Sequence, residues 1–422
     1  MLILFTIGVL LYTFGVHVAA FFGNAKAKQW VEGRRKQWQE GKPLQRLLNR
    51  NRGSKNEEDG DWIWFHAASL GEFEQGRPVI EALKKEFPQH KISLTFFSPS
   101  GFEIRKDYPL AHEVLYLPSD TTLHAKQWLE RHHFVAAFFI KYEFWFNYMR
   151  ALKKAGIPLY YISLILKPDS FFFRGYGRWF LKQLQAVTHF FVQDETTVEL
   201  LHTHGFDNVT LCGDTRFDRV ADIAEQAKPF PEIERFIDGR KCLVAGSTWP
   251  PDEKLLQGFL PKMPDDYCLI IAPHDISATH LEDIEALFPG CGFYTGLEAF
   301  RPSKVLVIDT IGMLSQLYQY AHFAYIGGGF GVNIHNTQEA IAFGCPVVFG
   351  PKHKGFKEAV DLVSLGGAFA VSNQQDLDAV FSRLIEDEAF YREASAICKA
   401  YVNRQLGATA AIVEKIKNDF LH

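Results

Sequence analysis

From residue 62 to residue 193 the chain alternates short apolar runs with stretches of helical period. The runs are Trp62–Ala68, Ile92–Phe97, Glu113–Leu117, Val135–Tyr142, Leu159–Leu166 and His189–Gln193. They are apolar at nearly every position rather than at every second one, which predicts strands covered on both faces, as in a parallel sheet. Arg77–Phe87 and Phe144–Lys154 are among the helical stretches between them. Such alternation predicts a doubly wound α/β domain. The rhythm breaks in "GDTRFDRVADIAEQAKPFPEIERFIDGRK", which holds Pro229 and Pro231. It restarts with Cys242–Ala245, Tyr267–Ala272, Val305–Ile308, Phe323–Ile326 and Pro346–Phe349, predicting a second doubly wound domain. The expected division is a first domain over 61–220, a second over 241–400 and a C-terminal helix over 401–422. The tail from Leu377 onward reads as helices that could pack back across the first domain.

The opening "MLILFTIGVLLYTFGVHVAAFF" contains no Lys, Arg, Asp or Glu, and a helix of about 20 such residues spans a bilayer's hydrocarbon. Positive charge follows it instead of preceding it, at Lys26, Lys28, Arg34, Arg35, Lys36, Lys42, Arg46, Arg50, Arg52 and Lys55. That order argues against a cleaved signal peptide. It predicts a membrane anchor over 1–23, then a basic flank and linker over 24–60, with the body on the cytoplasmic side. The flank could also hold anionic headgroups. A buried N-terminal helix with a solvated basic face is the competing reading. "NRGSKNEEDGD", residues 51–61, is a polar linker.

Composition adds three constraints. At 422 residues the chain is long enough for two domains plus appendages. Its 47% hydrophobic and 22% charged content is that of a globular protein, and a net charge of -4 gives no reason to expect nucleic acid as a partner. The six cysteines are scattered without a CxxC pair, which predicts reduced thiols and a reducing compartment rather than disulfides or a zinc site. No metal site is expected.

Open α/β sheets bind ligands at the carboxyl ends of their strands, so chemistry is sought in the loops there. In "YIGGGFGVNIHNTQEAIAFGCPVVFGP", Gly327, Gly328, Gly329 and Gly331 follow a strand and let backbone N–H groups approach a ligand. A helix expected to open near Asn336 would favour an anion such as phosphate. Glu339 could accept hydrogen bonds from ribose hydroxyls. The same residues also fit a tight turn and a helix cap.

Ser69-Leu70-Gly71-Glu72 follows the first strand and fits a capping box. Gly71, however, is a poor helix former by about 1 kcal/mol against alanine and leaves room for something to approach. Glu72 is therefore either a cap or a proton acceptor. Glu143 in "KYEFWFN" is a second carboxylate at a strand end, or a partner of Lys141. His66 fits a satisfied buried histidine better than a catalyst. Ser98, Ser100 and Gly101 resemble another helix start. "DSFFFRGYGRWF" is either a membrane-facing patch or a buried helix.

The segment from Glu339-Ala340 to Gly344-Cys345-Pro346-Val347 resembles the nucleotide-sugar half of GT-B glycosyltransferases. "SLGE" at Ser69–Glu72, "GDTRFD" at Gly213–Asp218, "VAGST" at Val244–Thr248, "IIAPH" at Ile270–His274, "IDTIGML" at Ile308–Leu314 and "HNTQEAIAFGCPVVFGP" stand in the order seen in 3-deoxy-D-manno-octulosonic acid (Kdo) transferases. The resemblance covers essentially the whole chain. It implies a GT-B fold, two Rossmann-like domains facing across a cleft, with an N-terminal membrane-anchor helix. It implies Kdo transfer from CMP-Kdo to a lipid A precursor, lipid IVA, in lipopolysaccharide core biosynthesis at the cytoplasmic face of a bacterial inner membrane. The mechanism would be inverting, with Glu72 as general base and no cofactor or metal beyond the donor substrate.

CMP contacts carry over to Pro273, His274, Ile311, Gly312, Met313, Asn336, Thr337, Gln338 and Glu339, with Ser69, Gly71, Glu143, Arg216 and Ser247 in support. His274 stands where the family usually has arginine, so Arg216 or Arg174 would supply the missing charge. "WPN" is Trp145-Phe146-Asn147 here, and "GGHN" is Asn333-Ile334-His335-Asn336. Another GT-B enzyme using a UDP-sugar, as transferase or epimerase, and a non-catalytic binding protein are the alternatives.

Overall fold

A computed structural model describes residues 1–40, 60–299 and 303–421. The linker (apart from its last two residues) and the basic residues from Lys42 to Lys55 lie outside the described residues. The chain divides into two compact units: Met1–Arg216 with Gly407–His422, and Phe217–Leu406.

The first unit carries a seven-stranded sheet. Its strands are β1 (Asp61–Ala67), β2 (Lys91–Phe96), β3 (Glu113–Tyr116), β4 (His133–Ile140), β5 (Leu159–Leu164), β6 (His189–Val192) and β7 (Val209–Leu211). The order is β3-β2-β1-β4-β5-β6-β7, and every pairing is parallel. The apolar runs have their predicted consequence: β1 buries every residue after Asp61, and β5 buries all six. Rings fill both sides of the sheet, with Trp64, Phe139 and Tyr161 on one face and Phe65, Phe138 and Tyr160 on the other.

Three features of this unit differ from expectation. The helix after β1 spans Leu70–Glu86 and runs through Pro78; it does not start at Arg77. Just before the proline the helix lies close on the sheet, where a Cβ on Gly76 would come 2.2 Å from Ile140. The segment 401–422 is not one helix: Glu388–Gln405 and Ala408–Leu421 are separate, broken where Gly407 takes a φ of 99°. The last helix packs into the first unit's core through the fully buried Ile412 and Ile416.

The third difference concerns the basic flank. Arg34 is not a solvated headgroup ligand. Its guanidinium lies over the rings of Trp30, Phe97 and Tyr116 and donates to Phe97 O at 2.9 Å, and burial pushes it down to about 9. Helix Ala25–Glu40 is thereby fastened to the unit. Lys26, Lys28, Arg35 and Lys36 stay exposed. The preceding helix, Leu2–Phe21, is long and apolar enough to cross a membrane, and none of its residues is buried. Phe5 packs on Phe146 and Trp179, so the aromatic segment near Trp179 meets this helix.

The second unit repeats the plan with β8 (Lys241–Thr248), β9 (Tyr267–Pro273), β10 (Gly292–Phe293), β11 (Val305–Val307), β12 (Ala321–Ile326), β13 (Val347–Phe349) and β14 (Ala368–Ala370). The order is β10-β11-β9-β8-β12-β13-β14, again wholly parallel. Helix Arg216–Glu225, divided at residue 220 in the sequence reading, goes with this unit because Phe217 and Val220 enter its core.

Replacing Ile416 by alanine should destabilise the first unit by about 2–5 kcal/mol. Urea unfolding followed by tryptophan fluorescence reads this directly, because every tryptophan but Trp249 lies in that unit.

Candidate active site

In the first unit the candidate residues gather at the carboxyl edge of neighbouring strands. Past Ala67 the chain turns through Ala68 and Ser69 into the helix bearing Glu72. The capping box does not form: Ser69 is the N-cap but accepts no N–H, and its hydroxyl instead donates to Glu72 Oε2. The Glu72 carboxylate is half-buried and is not tied to its helix's amides. Beside it, a Cβ on Gly71 would meet nothing closer than Ser69 Oγ at 3.8 Å. Protein packing therefore does not demand glycine here. It does at Gly101, where a Cβ would sit 2.3 Å from Phe96 and 3.0 Å from the backbone of Ser69.

Glu143 follows β4 after Lys141, which takes a left-handed φ of 63°. Its Oε2 accepts from Trp145 Nε1 at 2.7 Å and lies 3.2 Å from His66 Nε2. His66 is wholly buried, with Nδ1 2.9 Å from Thr95 Oγ1, as a satisfied core histidine should be. Burial, together with the charges of Asp194 and Glu72, pushes up the phenol of Tyr142, the residue before Glu143.

Arg216 is held by Asp214, with Nε and Nη2 at 2.9 and 2.6 Å from Oδ2. Burial pushes the Asp214 carboxyl up, but the adjacent guanidinium outweighs it and holds the group below the usual carboxylate range. Asp214 also accepts from Gln75 at 3.1 Å, on the helix that bears Glu72. The Arg216 charge is thus matched locally. Arg174 is exposed and donates to Asp169 O at 3.2 Å.

In the second unit, four loops far apart in sequence become neighbours because their strands lie in the order β11-β9-β8-β12. They carry Ile311 to Met313, Pro273 and His274, Ser247, and the glycine run to Glu339. Ser247 has a left-handed φ of 54°. A Cβ on Gly327 would sit 2.3 Å from Ser247 O, so glycine is required where β8 and β12 end. Ile311 is 86% exposed, and Gly312 takes a φ of 95°.

The helix after the glycine run is short, Gln338–Ala342, and starts later than expected. Its dipole is correspondingly small, and the Asn336 side chain already accepts from Gln338 N at 3.0 Å. Asn336 also donates to Glu339 Oε1 at 3.1 Å. Burial pushes the Glu339 carboxyl up, with Asn336 and Arg219 pulling the other way. Thr337 and Gln338 are buried. Pro273 is buried and His274 exposed.

Sequence reasoning missed two contributors. Trp249 stacks on His274 at 4.7 Å between ring centres, and His274 stacks on His335 at 4.5 Å. The Trp249 indole donates to His335 Nε2 at 3.2 Å. Asp252 braces the site from beneath, accepting from Gly328 N at 2.9 Å, Trp249 N at 3.0 Å and Tyr325 Oη at 2.8 Å. "TWPPDE" carries the signal: two prolines open a helix and an acid stands at its third position. Among the described residues no three carboxylate, imidazole or thiol groups converge to hold a metal ion.

Two seven-stranded parallel sheets with loops gathered at their carboxyl edges make this a protein of the GT-B fold. UDP-GlcNAc 2-epimerase from Neisseria meningitidis, solved with UDP-GlcNAc, shares that fold at a TM-score of 0.60, with 17% identity over 85% of this chain and 100% of that one. A putative UDP-N-acetylglucosamine 2-epimerase from Listeria monocytogenes gives 0.59 at 12% identity, over 85% and 96%. In sequence the chain is similar to the Kdo transferases. Residues 40–219 match the family model for 3-deoxy-D-manno-octulosonic-acid transferase (kdotransferase). The Aquifex aeolicus 3-deoxy-D-manno-octulosonic acid transferase is 28% identical over 331 residues, covering 76% of this chain and 86% of its own. That of Chlamydophila psittaci is 24% identical over 356 residues, covering 80% and 81%.

Gly71→Ala separates packing from ligand approach. Thermal unfolding should be unchanged or raised, because the added methyl has room and alanine favours a helix by up to about 1 kcal/mol. Turnover should fall if a substrate needs that space.

Proposed function

We propose that this chain transfers Kdo from CMP-Kdo to a hydroxyl of a lipid A precursor, lipid IVA, in lipopolysaccharide core biosynthesis. The observation that carries the mechanism is the state of Glu72: one carboxylate oxygen is fixed by the Ser69 hydroxyl, and the helix amides take neither oxygen. The other oxygen can accept the proton of the attacking hydroxyl. As that O–H bond breaks, the new bond forms to the anomeric carbon of Kdo, and the bond from that carbon to the phosphate oxygen breaks, releasing CMP. A single displacement of this kind inverts the anomeric centre.

The second unit is the donor platform in this reading. Ile311, Gly312 and Met313 flank the cytosine, Asn336 and Glu339 meet the ribose, and the His274 imidazole offers an N–H to the phosphate as negative charge develops there. Ser247 and the backbone from Asn336 to Gln338 border the same loops. A CMP sugar carries one phosphate, so no divalent metal is needed to neutralise a diphosphate. Glu143, fixed by His66 and Trp145, and Arg216, fixed by Asp214, shape the acceptor side.

The uncharged Leu2–Phe21 helix and the exposed Lys26, Lys28, Arg35 and Lys36 after it support an anchor in a bacterial inner membrane with the body on the cytoplasmic side. The lipid acceptor is then reached at the surface where it resides.

Glu72→Gln keeps the side chain's size and removes its basicity. With CMP-Kdo and lipid IVA, kcat should fall by about 10²–10⁴, the usual worth of a positioned base, while CMP affinity by calorimetry stays unchanged. Mass spectrometry of the lipid product reads donor and acceptor together. Turnover of a UDP-sugar without CMP release would overturn the assignment.

A further inference from the structure

The loop that presents His274 is closed by a ring of hydrogen bonds beneath the surface. His274 N donates to Thr248 O at 3.0 Å. Thr248 Oγ1 donates to Glu253 Oε1 at 2.9 Å. Glu253 Oε2 lies 3.1 Å from His280 Nε2, and His280 Nδ1 lies 2.8 Å from the carbonyl oxygen of Asp275. Asp275 is the residue after His274, so the circuit returns to its start. His280 and Glu253 are both buried, at 7% and 2% exposure.

The two nitrogens of His280 face only acceptors. A carbonyl oxygen has no proton to give, so Nδ1 must donate. The Glu253 side chain, which already accepts from Thr248, has none either while it is a carboxylate, so Nε2 then donates as well. A neutral imidazole has a single N–H; beside a carboxylate it would leave one nitrogen lone pair against an oxygen lone pair in a buried site. We propose that His280 is held as an imidazolium by Glu253, and that this proton locks the Pro273–Ser277 loop so that His274 is presented to the donor's phosphate. His280 touches no substrate in this scheme and is a positioning residue. The inference rests on the reading of the second unit as a donor platform.

Other groups around the pair favour keeping the proton. Burial pulls His280 down, but the Glu253 carboxylate, the Asp275 carbonyl and the Asp275 charge outweigh it and raise the ring above the usual 6.5. Burial and the neighbouring Asp252 push Glu253 up, while the His280 ring and the Thr248 hydroxyl pull it back towards the carboxylate. A raised folded value means that the lock is complete below pH 6.5 and is lost as pH rises through the folded value. Donor binding should therefore weaken on the alkaline side.

The test uses the full chain with selectively ¹⁵N-labelled histidine, assigned with His280→Asn. At neutral pH both ring nitrogens of His280 should be protonated; a neutral ring overturns the proposal. Calorimetry with CMP then reads the lock. Affinity should fall about tenfold as pH rises through the transition, the scale of one charge-assisted hydrogen bond. Glu253→Gln is the discriminating variant, because its amide can donate to Nε2 of a neutral ring and keep the circuit closed. It should bind CMP without that alkaline loss, and the ligand's own titration is common to both proteins. Identical pH profiles for the unchanged chain and Glu253→Gln would overturn the lock. Absence of CMP binding by the unchanged chain would overturn the donor reading, and the loop's role with it, whatever the nitrogen shifts show.

Discussion

A parallel strand covered on both faces can place an unpaired polar side chain only at its end. The central strands of both sheets obey that constraint here, and much of the molecule follows from it. The strand interiors are aromatic and aliphatic. A polar group that does enter can be matched there, as His66 is between Thr95 and Glu143. Candidate chemistry is therefore expelled to the carboxyl edges. The chain leaves those edges abruptly, and the left-handed Lys141 and Ser247 mark two of the exits. Such strain is held where surrounding structure over-determines the backbone.

The same constraint gives carboxylates different work. Asp252 spends both oxygens on Gly328, Trp249 and Tyr325; it shapes the glycine loop and has nothing left for a ligand. Glu143 has one oxygen shared by an indole and an imidazole. Glu72 is held by one serine hydroxyl and keeps an oxygen unengaged. Three acids near strand ends thus differ in the number of partners they hold. The rings of Trp249, His274 and His335 are held by stacking on one another.

Much of the architecture was legible along the chain. Unbroken apolar runs located the principal strands of both sheets, because burial on two faces leaves a signal at every position. The edge strands β7, β10 and β14 gave no such signal, being two or three residues long and less covered. Arg77 read as a helix start, whereas the helix begins at Leu70 and runs on through Pro78. Ser69 and Glu72 read as reciprocal caps; in space the hydroxyl turns to the carboxylate instead.

The sequence by itself determined the two-sheet plan, the apolar first helix and the order of the motifs, because periodicity and composition act locally. Tertiary structure alone decided which loops meet. β11, β9, β8 and β12 are neighbours though their loops are far apart in the chain. Arg34, one basic residue among ten in sequence, is enclosed by rings from distant elements. The charge of His280 is likewise invisible in one dimension. It depends on two oxygens, from Glu253 and Asp275, facing one ring at the same time, and a proton is required only once the fold brings both there.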